Sequence, residues 1–185
     1  MVYSTKATVL FSGGIDSAAC AHMLQGQNFD VEALFVDFGQ AAARKEYDAA
    51  CVLAQSIRAP LRRYTFSGNT SFGPGELVGR NAFLTFAALL VTGGKAGVIA
   101  FGLHAGTPYF DCSVEFLTSI SKLVAEHTDG KVSVIAPFIS WSKKDVFDYF
   151  QSARLSILHT YSCEAGTDPP CGACASCKDR EALGC

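Results

Sequence analysis

The sequence predicts an α/β fold, a doubly wound, open, five-stranded parallel sheet with a small four-cysteine knob at its carboxyl end. Three observations carry that prediction. Short apolar runs of strand character alternate with helix-period stretches along most of the chain, as parallel strands joined by crossover helices require. The first run passes directly into Ser12-Gly13-Gly14-Ile15-Asp16-Ser17, which reads as strand end, glycine loop and helix start. Four of the eight cysteines (Cys163, Cys171, Cys174 and Cys177) fall within fifteen residues near the carboxyl end. A chain of 185 residues, 49% of them hydrophobic, is long enough for one well-filled core. The expected organisation is an α/β domain over residues 1–159 and a metal-bound segment, 160–185, packed on it.

Residues 7–11 form the first expected strand, and a helical pattern runs from Ser17 to about residue 25. Two adjacent glycines permit positive φ and a close approach of backbone to ligand. Their N–H groups and the helix N-terminus together form a phosphate cradle, to which Ser12 and Ser17 add hydroxyl donors. Asp16 does not suit a bare phosphate; it either orients the loop or holds a magnesium ion. Residues 31–36 form the second strand, which ends in Asp37-Phe38-Gly39-Gln40. Ligands of open α/β sheets lie beyond the carboxyl ends of strands. An adenine ring is therefore expected between the first two strand tips, beside Phe11 and Val36. Residues 41–57 form a helix with Tyr47, Ala50, Cys51 and Ala54 on one face, and Glu46 is read chiefly as solvated surface, with a site role as the alternative. Cys20 and Cys51 are expected in the core.

The third strand, 61–66, is interrupted by arginines, and 67–79 is a glycine-rich polar loop of functional length. Arg80 and Asn81 open an apolar helix that runs to about residue 92. There Arg80 either meets a phosphate or carboxylate or lies on the surface beside a capping Asn81. Gly93-Gly94 reads as a helix stop. Residues 97–101 form the fourth strand, whose tip brings His104, Asp111 and Cys112 to a strand end. His104 alone reads equally as a structural histidine. A helix over 113–127 carries Phe116, Leu117, Ile120 and Val124 on one face, and 132–135 is the fifth strand. Ser142 caps a last helix, 143–151, with Asp145 in its first turn. Lys143 sits where the helix dipole disfavours a cation, so it either faces an anion or is simply exposed.

The spacing Cys163-x7-Cys171-x2-Cys174-x2-Cys177 suits a closed, tetrahedral, structural zinc site. An iron–sulfur cluster uses the same donors, but nothing else in the chain suggests redox chemistry. No apolar run reaches eighteen residues, and the amino terminus shows no signal peptide, so a cytoplasmic protein without a membrane span is expected. A net charge of −2 and a pI near 6.1 lack the basic balance of a nucleic-acid binder.

The glycine loop is neither a Walker A motif nor a dinucleotide fingerprint, since it lacks Gly-Lys-Ser/Thr and a third spaced glycine. SGGIDS resembles the pyrophosphate loop of ATP-pyrophosphatase (PP-loop) enzymes. With FVDFGQ, VGRNAFL, PYFDCS, SKKDV, TYSC and the cysteine knob, the chain from about residue 8 to 180 resembles the QueC family of queuosine precursor biosynthesis. The resemblance implies an adenine nucleotide alpha hydrolase-like fold and an ATP-dependent ligase. It would convert 7-carboxy-7-deazaguanine and ammonia to 7-cyano-7-deazaguanine, through an adenylate and an amide. It implies phosphate and magnesium roles for Ser12, Gly13, Gly14, Asp16 and Ser17, and charge neutralisation by Arg80 and Lys143. Arg80, Asn81, His104, Asp111 and Cys112 fall on the substrate side, with Asp111 facing the guanine-like edge. It implies zinc on Cys163, Cys171, Cys174 and Cys177, and a homodimer.

The chain departs from the family pattern at Ala41, where an arginine is usual, and in a shortened segment ending Phe110-Asp111-Cys112-Ser113. These departures fall where substrate, not ATP, is expected. They keep open a divergent enzyme that stops at the amide or joins the acid to another amine or a protein, as in bacterial defence. A tRNA-modifying adenylator and a non-catalytic nucleotide sensor are the remaining readings.

Overall fold

A computed structural model describes residues 5–69, 71–95 and 97–185. Residues 1–4, the start of the amino terminus read above as showing no signal peptide, lie outside the described residues. The described chain runs β1 (Lys6–Leu10), α1 (Ile15–Gly26), β2 (Asp30–Asp37), α2 (Ala43–Ser56) and β3 (Leu61–Thr65). It continues through α3 (Arg80–Thr92), β4 (Val98–Ala100), α4 (Val114–His127), β5 (Ser133–Ile135), α5 (Lys143–Ser152) and α6 (Ala175–Ala182). The five strands form one parallel sheet in the order β3-β2-β1-β4-β5. The chain winds outward from β1 to one edge, then returns past it to β4. That reversal beside β1 is where such sheets open a crevice for ligands.

The period of two along each strand divides the core into two layers. Ala7, Val9 and Phe11 from the β1 side, with Ala33 and Phe35 of β2, face α1, α2 and α5. Leu10, Leu34, Val36, Ile99 and Phe101 face α3 and α4 on the opposite side. Both faces are covered, so the central strands are apolar almost throughout. Helix α1 carries Ala18, Ala19, Cys20 and Ala21, all fully buried, and these small side chains let it lie close to the sheet beneath Phe147 and Phe150 of α5.

The arginines of β3 belong to an edge strand. Arg63 pairs with Asp37 at 2.6 Å and lies over the Tyr47 ring at 4.6 Å, and Arg62 pairs with Glu32. Edge strands tolerate such charges because one side is not covered. Gly93 ends α3 in the left-handed region at φ 62°. Ser142 accepts from Asp145 N–H while the Asp145 carboxylate accepts from Ser142 N–H, a complete capping box at the start of α5.

Three expectations are corrected. Cys51 is exposed, because α2 buries Ala50, Leu53 and Ala54 and leaves position 51 outside that stripe. Glu46 is not solvated surface; it lines the cavity at the carboxyl ends of the central strands. Asn81 does not cap α3, whose preceding residue is Gly79 at φ 80°; Asn81 lies inside the helix and is buried.

Candidate active site and metal centre

The carboxyl ends of β1, β2 and β4 open into a cavity of about 230 Å³. Phe11, Ser12, Asp16 and Ser17 line it from the first loop, Val36, Phe38 and Gln40 from the second strand tip, and Phe101, Gly102 and Leu103 from the fourth. Arg80 and Asn81 enter from the start of α3, Glu46 from α2, and Glu164 from the carboxyl-terminal segment.

The first loop is held from three sides. Gly13 adopts φ +78°, and a Cβ there would meet the Glu46 carbonyl oxygen at 2.5 Å. A Cβ on Gly102 would meet the Asp16 carbonyl at 2.6 Å, so the β4 tip also presses on the loop. The Gly13 carbonyl accepts from Tyr161 N–H at 3.1 Å. Gly14 is the N-cap of α1 and offers no side chain to the first-turn N–H groups. Those amides are therefore left for a ligand, at the positive end of a twelve-residue helix. Ser17 Oγ donates to Gly14 O at 3.2 Å and lies 3.4 Å from Ser12 Oγ.

Asp16 receives Lys143 Nζ on both carboxylate oxygens, at 2.8 and 2.6 Å. The anion that offsets Lys143 at the start of α5 is thus a side chain of the first loop. His104 Nε2 stands 4.0 Å from Asp16 Oδ2. Its Nδ1 lies 2.7 Å from the Ala105 carbonyl, which can only accept, so Nδ1 carries the proton.

Asn81 Nδ2 donates to the Asp111 carbonyl at 2.8 Å, and Asn81 N–H donates to Asp111 Oδ2 at 3.2 Å. Cys112 lies behind this pair, with Sγ 3.7 Å from Asn81 Nδ2. Burial, then the Asp111 charge, push the Cys112 thiol up to about 11, so it is protonated at neutral pH. The structure thus gathers Phe11, Ser12, Asp16, Ser17, Val36, Arg80 and Asn81 around one cavity. It sets Lys143 and His104 behind Asp16, and Asp111 and Cys112 beyond Asn81, outside the cavity lining.

Gln40, Glu46 and Glu164 are cavity residues that sequence reasoning did not assign. Gln40 was legible as part of a strand tip. Glu46 lies six residues further on, and α2 begins so soon after that tip that its first turn overhangs the cavity. Glu164 follows Cys163 directly, so its place depends on where the knob docks.

The Sγ atoms of Cys163, Cys171, Cys174 and Cys177 lie within 4.8 Å of one another, and those of Cys171 and Cys177 are 4.0 Å apart. A tetrahedral ion with metal–sulfur bonds of about 2.3 Å would set its sulfurs roughly 3.8 Å apart. The four thiols therefore fit a single four-coordinate ion. A four-iron cluster puts each thiolate on a different iron and so spreads the sulfurs further. Backbone N–H groups already point at the sulfurs: Cys171 N at Cys163 Sγ (3.3 Å) and Cys174 N at Cys171 Sγ (3.4 Å). Burial opposes a Cys163 thiolate, but the Cys171 N–H and the Thr167 hydroxyl outweigh it and bring the group down to about 5. Cys174 is the N-cap of α6 and Cys177 lies in its first turn, in a helix not expected from the sequence.

The sequence model of the family described as queuosine biosynthesis protein QueC matches residues 6–78 and 69–183. The chain belongs to the QueC family. Proteins named 7-cyano-7-deazaguanine synthase align over nearly its whole length. That of Gloeothece citriformis is 30% identical, covering 95% of this chain and 89% of its own. That of Haloarcula marismortui is 27% identical, covering 97% and 90%. The latter alignment spans 209 positions against the 185 residues here, so the relative carries residues that this QueC member lacks.

Two solved structures share the fold. The U34-tRNA thiolase NcsA of Methanococcus maripaludis, with its 4Fe–4S cluster, has a TM-score of 0.57 at 16% identity, covering 83% of this chain and 59% of its own. A predicted subunit of a tRNA methyltransferase from Methanocaldococcus jannaschii gives 0.55 at 14%, covering 80% and 74%. This places the PP-loop fold on the described sheet. No helix among the described residues is long and apolar enough to cross a membrane.

Proposed function

We propose that this chain is an ATP-dependent carbon–nitrogen ligase that converts 7-carboxy-7-deazaguanine and ammonia to 7-cyano-7-deazaguanine. The observation that carries the reading is the uncapped start of α1, opening with Ser12 and Ser17 into a cavity that also holds Arg80. Arg80 has no ion-pair partner among the described residues, so an anionic ligand would complete it.

In this reading the loop amides and the two serine hydroxyls hold the β- and γ-phosphates of ATP, and the adenine lies against Phe11 and Val36. Attack of the substrate carboxylate on the α-phosphorus breaks its bond to the bridging oxygen, and pyrophosphate leaves. Arg80 and Lys143 offset the charge that develops on that leaving group. Asp16, already paired with Lys143, is the carboxylate placed to reach a magnesium ion on the phosphates. Ammonia then displaces AMP to give the amide. A second adenylation, on the amide oxygen, allows loss of AMP and a proton to leave the nitrile. Asn81 would meet the substrate, oriented by Asp111 and Cys112, while His104 borders Asp16. Zinc suits the four-thiolate centre, as a structural ion with no open position. The protein would act in the cytoplasm, as a homodimer.

A second reading keeps the same adenylation and changes the acceptor, giving an amide or a conjugate with another amine or a protein. The shorter aligned region and the shortened run before Ser113 support it. Incubation with ATP, magnesium, 7-carboxy-7-deazaguanine and ammonia, followed by mass analysis of the base, separates the readings. Nitrile supports the first and amide alone the second. AMP formation only after tRNA is added would favour an adenylator of tRNA. Nucleotide binding without turnover under any of these conditions would replace both with a nucleotide sensor.

A further inference from the structure

We propose that Glu46 is the residue that reads the base of the substrate, accepting the paired N–H donors of a 2-amino-4-oxopyrimidine edge. The inference rests on the deazaguanine reading above and names the side chain that would enforce it.

Three carboxylates line the cavity: Asp16, Glu46 and Glu164. Both oxygens of Asp16 are taken by Lys143. Glu164 accepts from Gly75 N–H on Oε2 at 2.9 Å, and from the N–H and hydroxyl of Ser176 on Oε1 at 3.1 and 2.9 Å. Asp111, the sequence-based candidate for this role, lies outside the lining and accepts from Asn81. Glu46 receives one hydrogen bond, from Gln40 Nε2 to Oε2 at 3.0 Å, and its Oε1 has no partner among the described residues. It is the cavity carboxylate with accepting capacity to spare.

The side chain is also held in place. Gln40 binds Glu46 and donates to the Val36 carbonyl at 3.2 Å, which ties the carboxylate to the β2 tip. The backbone of α2 is fixed at the same residue by its contact with Gly13. Burial raises the Glu46 pKa, and the bond from Gln40 and the Arg80 charge oppose the rise. A ligand that brings two N–H groups to this carboxylate relieves the cost of burying it. A 2-amino-4-oxopyrimidine ring presents two adjacent donors, which match the two oxygens of one carboxylate. The adenine edge offers one donor beside an acceptor and does not match. The Glu46 carboxylate therefore suits the base, and the free amides at the start of α1 suit the phosphates.

The test is calorimetric titration of the metal-loaded full chain, wild type and Glu46→Gln, with three ligands. These are 7-carboxy-7-deazaguanine, its analogue lacking the 2-amino group, and a non-hydrolysable ATP analogue. The wild type is expected to prefer the parent base by tenfold or more. Glu46→Gln should lose at least tenfold affinity for the parent base, lose most of that preference, and bind the ATP analogue within twofold of wild type. Unchanged base affinity in a folded Glu46→Gln would overturn the inference and leave the substrate reading intact. A loss confined to the ATP analogue would overturn it too, by moving Glu46 to the nucleotide. A wild type that binds neither base sinks the substrate reading itself. Should Glu46→Gln not fold, wild-type discrimination decides alone, and equal affinity for the two bases overturns the inference.

Discussion

Single residues do separable work in the cavity. Lys143 holds Asp16 through both carboxylate oxygens, and its charge lies at the start of α5, behind the first loop. Lys143→Met is expected to lower turnover by about 10²- to 10³-fold, the scale of removing one preorganised charge-stabilising donor. Steady-state kinetics, beside a thermal melt that reports folding, checks this, and Lys143→Arg should recover part of the loss. Gly13 adopts a left-handed φ and has no room for a Cβ. Gly13→Ala should cost at least about 1–3 kcal/mol of stability from backbone strain, readable by urea unfolding, with weaker nucleotide binding.

Glu46 contributes a pH dependence of definite sign. Its native pKa is raised above the ordinary 4.5, mainly by burial. Between those two values the native state holds a proton that the unfolded state has lost. The group's contribution to stability is therefore complete below 4.5 and declines as pH rises through the native value. Replacing it with glutamine should flatten that decline, which denaturant midpoints measured from pH 4 upward would reveal.

At the scale of elements, the carboxyl-terminal segment is part of the cavity wall. Tyr161 N–H binds the first loop, Glu164 reaches both the cavity and Gly75, and a Cβ at Gly166 would meet the Ala41 carbonyl oxygen at 2.3 Å. Residues 161–166 therefore clamp the first loop and the β2–α2 turn together, and the four-cysteine centre anchors that clamp from Cys163 onward. Chelation should release it. A loss of about 3 kcal/mol would lower Tm by roughly 6–12 °C in a domain of this size. Hydrogen exchange should quicken at Tyr161 and Gly75 before it quickens in β1. Metal analysis of the native protein is expected to give one ion per chain, and exchange unaffected by chelation would remove the clamp from the account.

At the scale of the whole molecule, apolar side chains lie exposed on the two helices that cover one face of the sheet. Phe83 and Leu90 of α3, with Val114 and Leu123 of α4, are each more than a third exposed. The proposed homodimer is expected to cover this face, since it would take these large apolar side chains out of water. Sedimentation of the wild type should give a dimer and Leu90→Lys a monomer; a monomeric wild type would reject the proposal.

Local pattern alone determined the alternation of strands and helices, the α/β class, the first loop and the cysteine spacing, because each depends on neighbours a few residues apart. The glycine stop after α3 and the Ser142 cap were legible for the same reason. Three-dimensional packing decided what the side chains face. Glu46 looked like an exposed charge on an amphipathic helix until the β2–α2 turn brought it over the cavity. Asp111 looked free until Asn81, thirty positions earlier, took its carboxylate. Glu164 gained a role only when the knob docked on the loop at Gly13 and Gly14. Hydrogen-bonding capacity is allotted among groups distant in sequence, so no reading of the chain by itself can tell which carboxylate is left with room for a ligand.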